Sequence, residues 1–297
     1  MEYLYDMGFL INRSMHRVLK NEGYLYDQDA RQYTPEELAD VMFMAEETYK
    51  DVLKFVKGEI NTYGLDGNTY TLCFDDKEFQ LRPEYKNRPT PEFNRELKRI
   101  AQKKLLNLPN TPRFKKVVGY GMEADDWIYT LRLENSRQGK YTCIHANDCD
   151  LLCNIDEYTT GIFYKARTSN DIDKESWDAA IGEVFCHEIP YNAIWLYKIT
   201  VGDTSDNIKG IHKFGPKAFD KLIAEMRQAG TPFHLLSTMK GFKVFLEHQN
   251  GLQRFITPEQ YAQALEAWKL VRPIALEEAK ELAAEREEEQ ISTAIHM

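Results

Sequence analysis

The sequence predicts an α/β fold built on a mostly parallel sheet, and three observations predict it. Short runs rich in β-branched and aromatic residues recur along the first half of the chain. Segments of helical period fall between them, and acidic residues stand at the ends of the apolar runs. A chain of 297 residues has room for one large α/β domain or two smaller ones with a well-buried core.

Taken in order, the first run is Tyr3–Tyr5, ending on Asp6. Thr34-Pro35-Glu36-Glu37 then predicts a helix start, with a threonine cap, proline at the first helical position and glutamate at the capping-box position. Leu38, Val41, Met42, Ala45, Tyr49, Val52 and Val56 continue it at helical spacing. The second strand run is Thr69–Phe74, ending on Asp75-Asp76. Between Lys77 and Lys116, twelve Lys and Arg face four Asp and Glu, a local +8 in a chain whose net charge is −9. Pro83, Pro89 and Pro91 make the first part of that stretch irregular. Thr90-Pro91 then opens a helix in which Arg95, Lys98, Arg99 and Lys103 form a positive stripe. The stretch from about 77 to 116 is too charged for a core helix and reads as an insertion standing off the sheet.

Glu123-Ala124-Asp125-Asp126 opens a further helix through Trp127, Ile128, Tyr129 and Leu131. The third strand run, Tyr141–Ala146, leads into Asn147-Asp148-Cys149-Asp150, and Gly161–Ala166 is the fourth. After about residue 190 the strand signals stop. Thr257-Pro258-Glu259-Gln260 is a second capping box, Pro273 splits the helical segment after it, and Glu277 to Gln290 is a solvated helix. An α/β core over 1–190 and a helical region over 191–297 are the expected parts.

Composition narrows the function. Hydrophobic residues make up 43% and charged residues 29%, as in soluble globular proteins. No apolar run reaches the length of about eighteen residues that a membrane helix needs, and the N-terminus lacks a secretory pattern, so a cytoplasmic protein without a membrane partner is expected. Five cysteines, an odd number without a Cys-x-x-Cys pair, argue against a disulfide framework or a zinc site. The uneven charge suits a protein that holds metal ions in one place and phosphates in another.

The acids carry the chemistry. In parallel α/β sheets ligands bind beyond the carboxyl ends of the strands, so Asp6, Asp75 or Asp76, and Asp148 with Asp150 should converge on one edge. Glu123 and Asp126 are helix neighbours, and Asp203 and Asp206 form a further pair in Gly202-Asp203-Thr204-Ser205-Asp206-Asn207. Singly, an acid after a strand caps a turn and an acid in a first helical turn complements the helix dipole. Together they would repel strongly unless hard cations with oxygen ligands, Mg²⁺ or Mn²⁺, held them. Such ions suit phosphodiester hydrolysis. Gly210-Ile211-His212-Lys213-Phe214-Gly215-Pro216-Lys217 predicts a tight turn ahead of a helix N-terminus, an anion site to which Lys213 and Lys217 add charge for a DNA backbone.

Glu123-Ala124-Asp125-Asp126, Asp148-Cys149-Asp150 and the run from Gly202 through Ile211 with Gly215-Pro216-Lys217 resemble the 5′-nuclease (flap endonuclease) family, on the branch of bacteriophage 5′-exonucleases and the 5′-nuclease domain of bacterial DNA polymerase I. Phe74-Asp75 and the later Arg82, Tyr85-Lys86 and Arg88 resemble that family's strand end and the arch base after it. The resemblance implies a PIN-like sheet flanked by helices, a helical arch, a C-terminal helix–hairpin–helix region, and cleavage of DNA 5′ ends and flaps near junctions of single and double strand. It implies that Asp6, Asp75, Glu123 and Asp125 serve one metal ion, and Asp126, Asp148, Asp150, Asp203 and Asp206 a second. A third Mg²⁺, or K⁺ at the hairpin, is compatible with it. Lys86 and Arg88 would steer the scissile phosphate and Tyr85 would stack on a base. Arg13, Arg82, Gly210, Lys213, Gly215 and Lys217 would complete the DNA contacts. The family's Asp-Gly is here Asp6-Met7-Gly8, with Leu10 and Arg13 at matching distances. A monomer working beside a replication polymerase is expected. A PIN-type ribonuclease and an inactive junction-binding protein are the alternatives; the hairpin disfavours the first, and a full set of acids the second.

Overall fold

The computed structural model describes residues 1–23, 40–64, 67–76, 81, 92–165, 168–173, 175–176, 189–190 and 193–295. Its centre is a six-stranded sheet in the order β3-β2-β1-β4-β5-β6. The strands are β1 (Glu2–Asp6), β2 (Thr69–Cys73), β3 (Phe114–Val117), β4 (Thr142–Ala146), β5 (Thr159–Lys165) and β6 (Thr168–Ile172). All neighbouring pairs are parallel except β5 and β6. The helices are α1 (Met7–Asn21), α2 (Val41–Tyr63), α3 (Glu92–Leu106), α4 (Ala124–Arg137), α5 (Ile194–Val201), α6 (Pro216–Gln228), α7 (Met239–Glu247), α8 (Pro258–Val271) and α9 (Leu276–Ile295).

Alternation along the strands divides the core into two layers. Tyr3 and Tyr5 of β1, Tyr70 and Leu72 of β2 and Cys143 of β4 pack with Leu10 and Ile11 of α1, Val52 and Val56 of α2 and Ala101 and Leu105 of α3. Leu4, Cys73, Ile144 and Ala146 face the other way, onto Ile128 of α4 and Trp195 of α5. A sheet covered on both faces has central strands apolar throughout, and every residue of β4 is buried. The second layer is continuous with the helical C-terminal half: Trp195, Phe242 and Trp268 pack ring against ring within it. Among the described residues no helix is long and apolar enough to cross a membrane.

The four expected strands are present, and two more join them. β3 is basic, with Lys115 and Lys116 in it, and β6 is polar. Both lie on sheet edges, where one flank needs no apolar cover. The basic stretch is also more deeply built in than its charge suggests. Instead of standing off, α3 buries Phe93, Asn94, Leu97, Ala101 and Leu105, while Arg95, Arg99 and Lys103 remain exposed on the opposite face. Its long cationic side chains leave one stripe apolar, which is enough to dock a helix. The Thr34–Glu37 helix start and residues 82–91 lie outside the described residues. Ala45, Val52 and Val56 of α2 are buried as their spacing predicts, whereas Met42 is exposed. The Thr257–Gln260 capping box forms with both of its hydrogen bonds, and Pro273 lies in the break between α8 and α9.

Candidate metal centre

The acids gather beyond the carboxyl ends of β1, β2 and β4. Asp6 ends β1 and caps α1, its Oδ1 accepting the Phe9 N–H at 3.1 Å. Asp75 Oδ1 accepts the Ala124 N–H at the start of α4, 3.0 Å away. The Asp6 and Asp75 carboxylates meet over Gly8: a Cβ built there would lie 3.2 Å from Asp6 Oδ1 and 3.5 Å from Asp75 Oδ2. Glycine therefore belongs two residues after Asp6, because a side chain would crowd the pair. Asp76 turns elsewhere, accepting the Gly121 N–H at 3.0 Å.

Glu123 stands at the N-cap of α4, and Asp126 Oδ2 accepts its N–H at 3.1 Å. The other Asp126 oxygen accepts the Ile274 N–H at 2.8 Å. Asp126 is buried and joins the α4 start to the link between α8 and α9. Glu123, Asp125, Asp126 and Asp150 line one small cavity of about 30 Å³ with Trp195 and Pro273. That is room for one water or ion.

Asp148 caps the short 3₁₀ turn Cys149–Asn154, its Oδ1 accepting the Asp150 N–H at 3.0 Å. Asp203 and Asp206 come from the turn after α5. Asp203 and Ile208 exchange backbone hydrogen bonds, each 2.8 Å, and close that turn. One oxygen from each of Asp150, Asp203 and Asp206 lies within 4.8 Å of the others.

Sequence reasoning missed the residue at the middle of this group. Lys198, 2% exposed, pairs through Nζ with Asp150, with Asp203 at 2.8 Å and with Asp206 at 3.0 Å. A buried ammonium demands such partners. The available signal was a lone lysine in the apolar helix Ile194-Trp195-Leu196-Tyr197-Lys198-Ile199, five residues before Asp203. Burial, then the neighbouring Asp148, push the Asp150 carboxyl up to about 7, and Lys198 pulls the other way.

The donors gathered here are carboxylate oxygens, which fit a hard divalent cation better than a thiolate- or imidazole-seeking one. His145, at the end of β4, is turned to the opposite face. There its Nδ1 lies 2.7 Å from Tyr164 Oη and 3.4 Å from a Glu59 oxygen, and burial lowers its pKa to about 3. It is neutral and takes no part in the acidic group.

Beyond Lys198 the chain makes the expected tight turn. The Ile211 N–H donates to the Thr200 carbonyl at 2.8 Å. Gly210 has φ +61°, and a Cβ on it would meet Gly202 N at 2.5 Å. Gly215 is the N-cap of α6, and Pro216 opens the helix. Lys213 and Lys217 are exposed on either side of that N-terminus. An open cavity of about 540 Å³ beside Asp203 is lined by Tyr197, Lys198, Gly202, Asp203, Asn207 and Lys209. Arg13 is exposed and stacks over Phe55, 4.5 Å from the ring centre. Arg82, Tyr85, Lys86 and Arg88 lie outside the described residues.

No family model matches the chain. It is 29% identical over 182 residues to DNA polymerase I of Synechocystis sp., a match covering 57% of the chain and 18% of the polymerase, so it corresponds to less than a fifth of that protein. Among solved structures it resembles the bacteriophage T5 protein crystallised with metal ions, at TM-score 0.55 and 13% identity over 96% of this chain and 97% of the other. The T5 flap endonuclease in a complex with DNA and metal ions gives 0.54 at 13% identity, over 96% and 97%. The T5 5′-exonuclease with bound zinc gives 0.50 at 14%, over 96% and 98%. The fold is that of these 5′-nucleases, a mostly parallel sheet between helical layers, and the likeness in fold extends over nearly the whole chain.

Proposed function

We propose that this chain is a metal-dependent DNA nuclease that hydrolyses phosphodiesters at 5′ ends and flaps, near junctions of single and double strand. One observation carries the reading: carboxylates from separate segments of the chain meet at a single sheet edge, beside a turn and helix N-terminus flanked by Lys213 and Lys217. An acidic group that dense repels phosphate on its own and attracts it once cations are bound. The DNA and metal ions of the T5 relatives are carried over to this chain as part of the proposal.

Asp6, Asp75, Glu123 and Asp125 would hold one divalent ion. Asp148, Asp150, Asp203 and Asp206 would hold the second, with Asp126 fixing the α4 start against Ile274. Mg²⁺ is the expected ion, with Mn²⁺ able to replace it. Two such ions, when bound, would supply water activation and charge neutralisation at the leaving oxygen. Lys198 sets the orientation of Asp150, Asp203 and Asp206. The α6 N-terminus, with Lys213 and Lys217, would act as one half of a helix–hairpin–helix grip on the duplex backbone. Lys86 and Arg88 would bear on the scissile phosphate, with Arg13, Arg82 and Tyr85 contacting the strand that enters. Residues 1–190 would be the cutting part and 191–297 the gripping part, with Asp203 and Asp206 supplied by the second to the first.

A second reading is favoured by Lys198, whose ammonium already occupies the Asp150–Asp203–Asp206 group. In that reading one ion, at Asp6, Asp75, Glu123 and Asp125, suffices. Mn²⁺ titration by calorimetry separates the two readings by stoichiometry. The nuclease proposal is tested with end-labelled 5′-flap, nicked duplex, single-stranded DNA and RNA. Cleavage near the flap junction that needs Mg²⁺ and stops in EDTA is expected; cleavage persisting in excess EDTA would remove the metal mechanism.

A further inference from the structure

The loop from β3 to α4 carries a feature that neither the metal centre nor the duplex grip uses. Gly119, Tyr120 and Gly121 all have positive φ, +120°, +57° and +69°. Glycine adopts that region freely, and a tyrosine there is strained. The turn would form more easily with glycine at all three positions. Tyr120 is nonetheless 46% exposed, close in sequence to Val118, which is 39% exposed. An outlier of this kind that contributes little burial points to use of the side chain outside the fold.

Its place supports that. The loop leaves the same sheet edge as the acids: the Phe74 N–H donates to the Val117 carbonyl at 3.0 Å and the Asp76 N–H to the Met122 carbonyl at 2.9 Å. Asp76 holds the loop from below through the Gly121 N–H. Glu123 follows Tyr120 by three residues. The ring lies 6.5 Å from that of Trp127, and Lys280 Nζ of α9 is 5.7 Å from its centre. Tyr141 and Tyr158, the exposed pair that precedes β4 and β5, sit at the other edge of the sheet and cover each other, ring centres 5.6 Å apart.

We infer that Tyr120, with Lys280 beside it, is a stacking platform for an unpaired nucleotide of the DNA at the rim of the acidic centre. The ring offers its face to a base, a contact that tolerates any base because every base has a π-face. The ammonium offers charge to the adjoining phosphate. The inference rests on the nuclease reading for the identity of the ligand, and it adds a second single-strand contact to the one expected of Tyr85.

The test uses the full-length protein with a 5′-flap DNA carrying 2-aminopurine in the single strand next to the junction. Binding is read in Ca²⁺ and cleavage in Mg²⁺, for wild type, Tyr120→Phe and Tyr120→Gly. Tyr120→Gly relieves the backbone strain, so its thermal midpoint should equal or exceed that of wild type. Its affinity for the flap should fall on the order of tenfold, with loss of 2-aminopurine quenching. KM should rise by a similar factor while kcat at saturating substrate holds, and Tyr120→Phe should keep wild-type values. Unchanged affinity and quenching in Tyr120→Gly overturn the platform. So does a lowered thermal midpoint, which would assign the ring to the fold. Binding that depends on Tyr120 without any cleavage by wild type keeps the platform and overturns the nuclease reading; a wild type that neither binds nor cuts overturns both.

Discussion

Lys198 is the residue on which the electrostatics of the centre turn. Its ammonium is buried among Asp150, Asp203 and Asp206. Removing one member of a buried ionic group costs about 3–5 kcal/mol, because the others lose their compensation. Lys198→Met should therefore lower the thermal midpoint of the metal-free protein sharply. It should also enlarge the rise in midpoint that Mn²⁺ brings, since a divalent ion can replace the lost charge. Equal Mn²⁺ shifts in wild type and variant would show that the cluster holds no ion. The acids themselves were legible in the sequence: Asp6, Asp75, Asp148 and Asp150 follow strands, Glu123, Asp125 and Asp126 open a helix, and Asp203 and Asp206 form a close pair in a polar turn. The lysine was not, because a single cation in an apolar helix declares itself only once the carboxylates around it are placed. Between Asp75 and Asp76 the sequence favoured Asp75 only through the resemblance carried by Phe74-Asp75; adjacent residues at a strand end diverge, and the packing of Gly8 and Ala124 sets which of the two meets Asp6.

At the scale of elements, the two glycines of the turn after α5 do different things. Gly210 is required by the fold. Its φ of +61° and the 2.7 Å from a Cβ to the Thr200 carbonyl oxygen leave no place for a side chain. Gly210→Ala should destabilise by about 2 kcal/mol or more, read by urea denaturation. Gly215 has φ −101°, and nothing lies within 4 Å of the position a Cβ would take. Gly215→Ala should cost no more than about 1 kcal/mol, the difference between glycine and alanine at an N-cap, yet weaken binding to duplex DNA if a phosphate approaches the α6 N-terminus closely. Unaltered duplex affinity in Gly215→Ala would contradict the grip assigned to that turn. The strands β1, β2, β4 and β5 were readable because their residues are buried; β3 and β6 were not, because edge strands take charged and polar residues that resemble loops. The charge of α3 likewise concealed its apolar stripe of Phe93, Leu97, Ala101 and Leu105.

At the scale of the molecule, the chain solves one problem twice. A parallel sheet brings Asp6, Asp75 and Asp148 to its carboxyl edge by topology alone, and the helical half returns Asp203 and Asp206 to the same place through a core that runs from Ile144 to Trp195 and Trp268. A net charge of −9 would be compatible with the proposed affinity for a polyanion if cations neutralise the centre and exposed lysines face the duplex. The account stands or falls on whether the acids act as metal ligands or as caps. Asp148 allows the two to be separated, since it caps a 3₁₀ turn through the Asp150 N–H and asparagine caps as well as aspartate does. The decisive measurement is Mg²⁺-dependent cleavage of a 5′-flap by Asp148→Asn, with DNA binding in Ca²⁺ and the thermal midpoint recorded alongside. Cleavage reduced on the order of 100-fold or more, with binding and midpoint retained, is the predicted result; cleavage at the wild-type rate would contradict it.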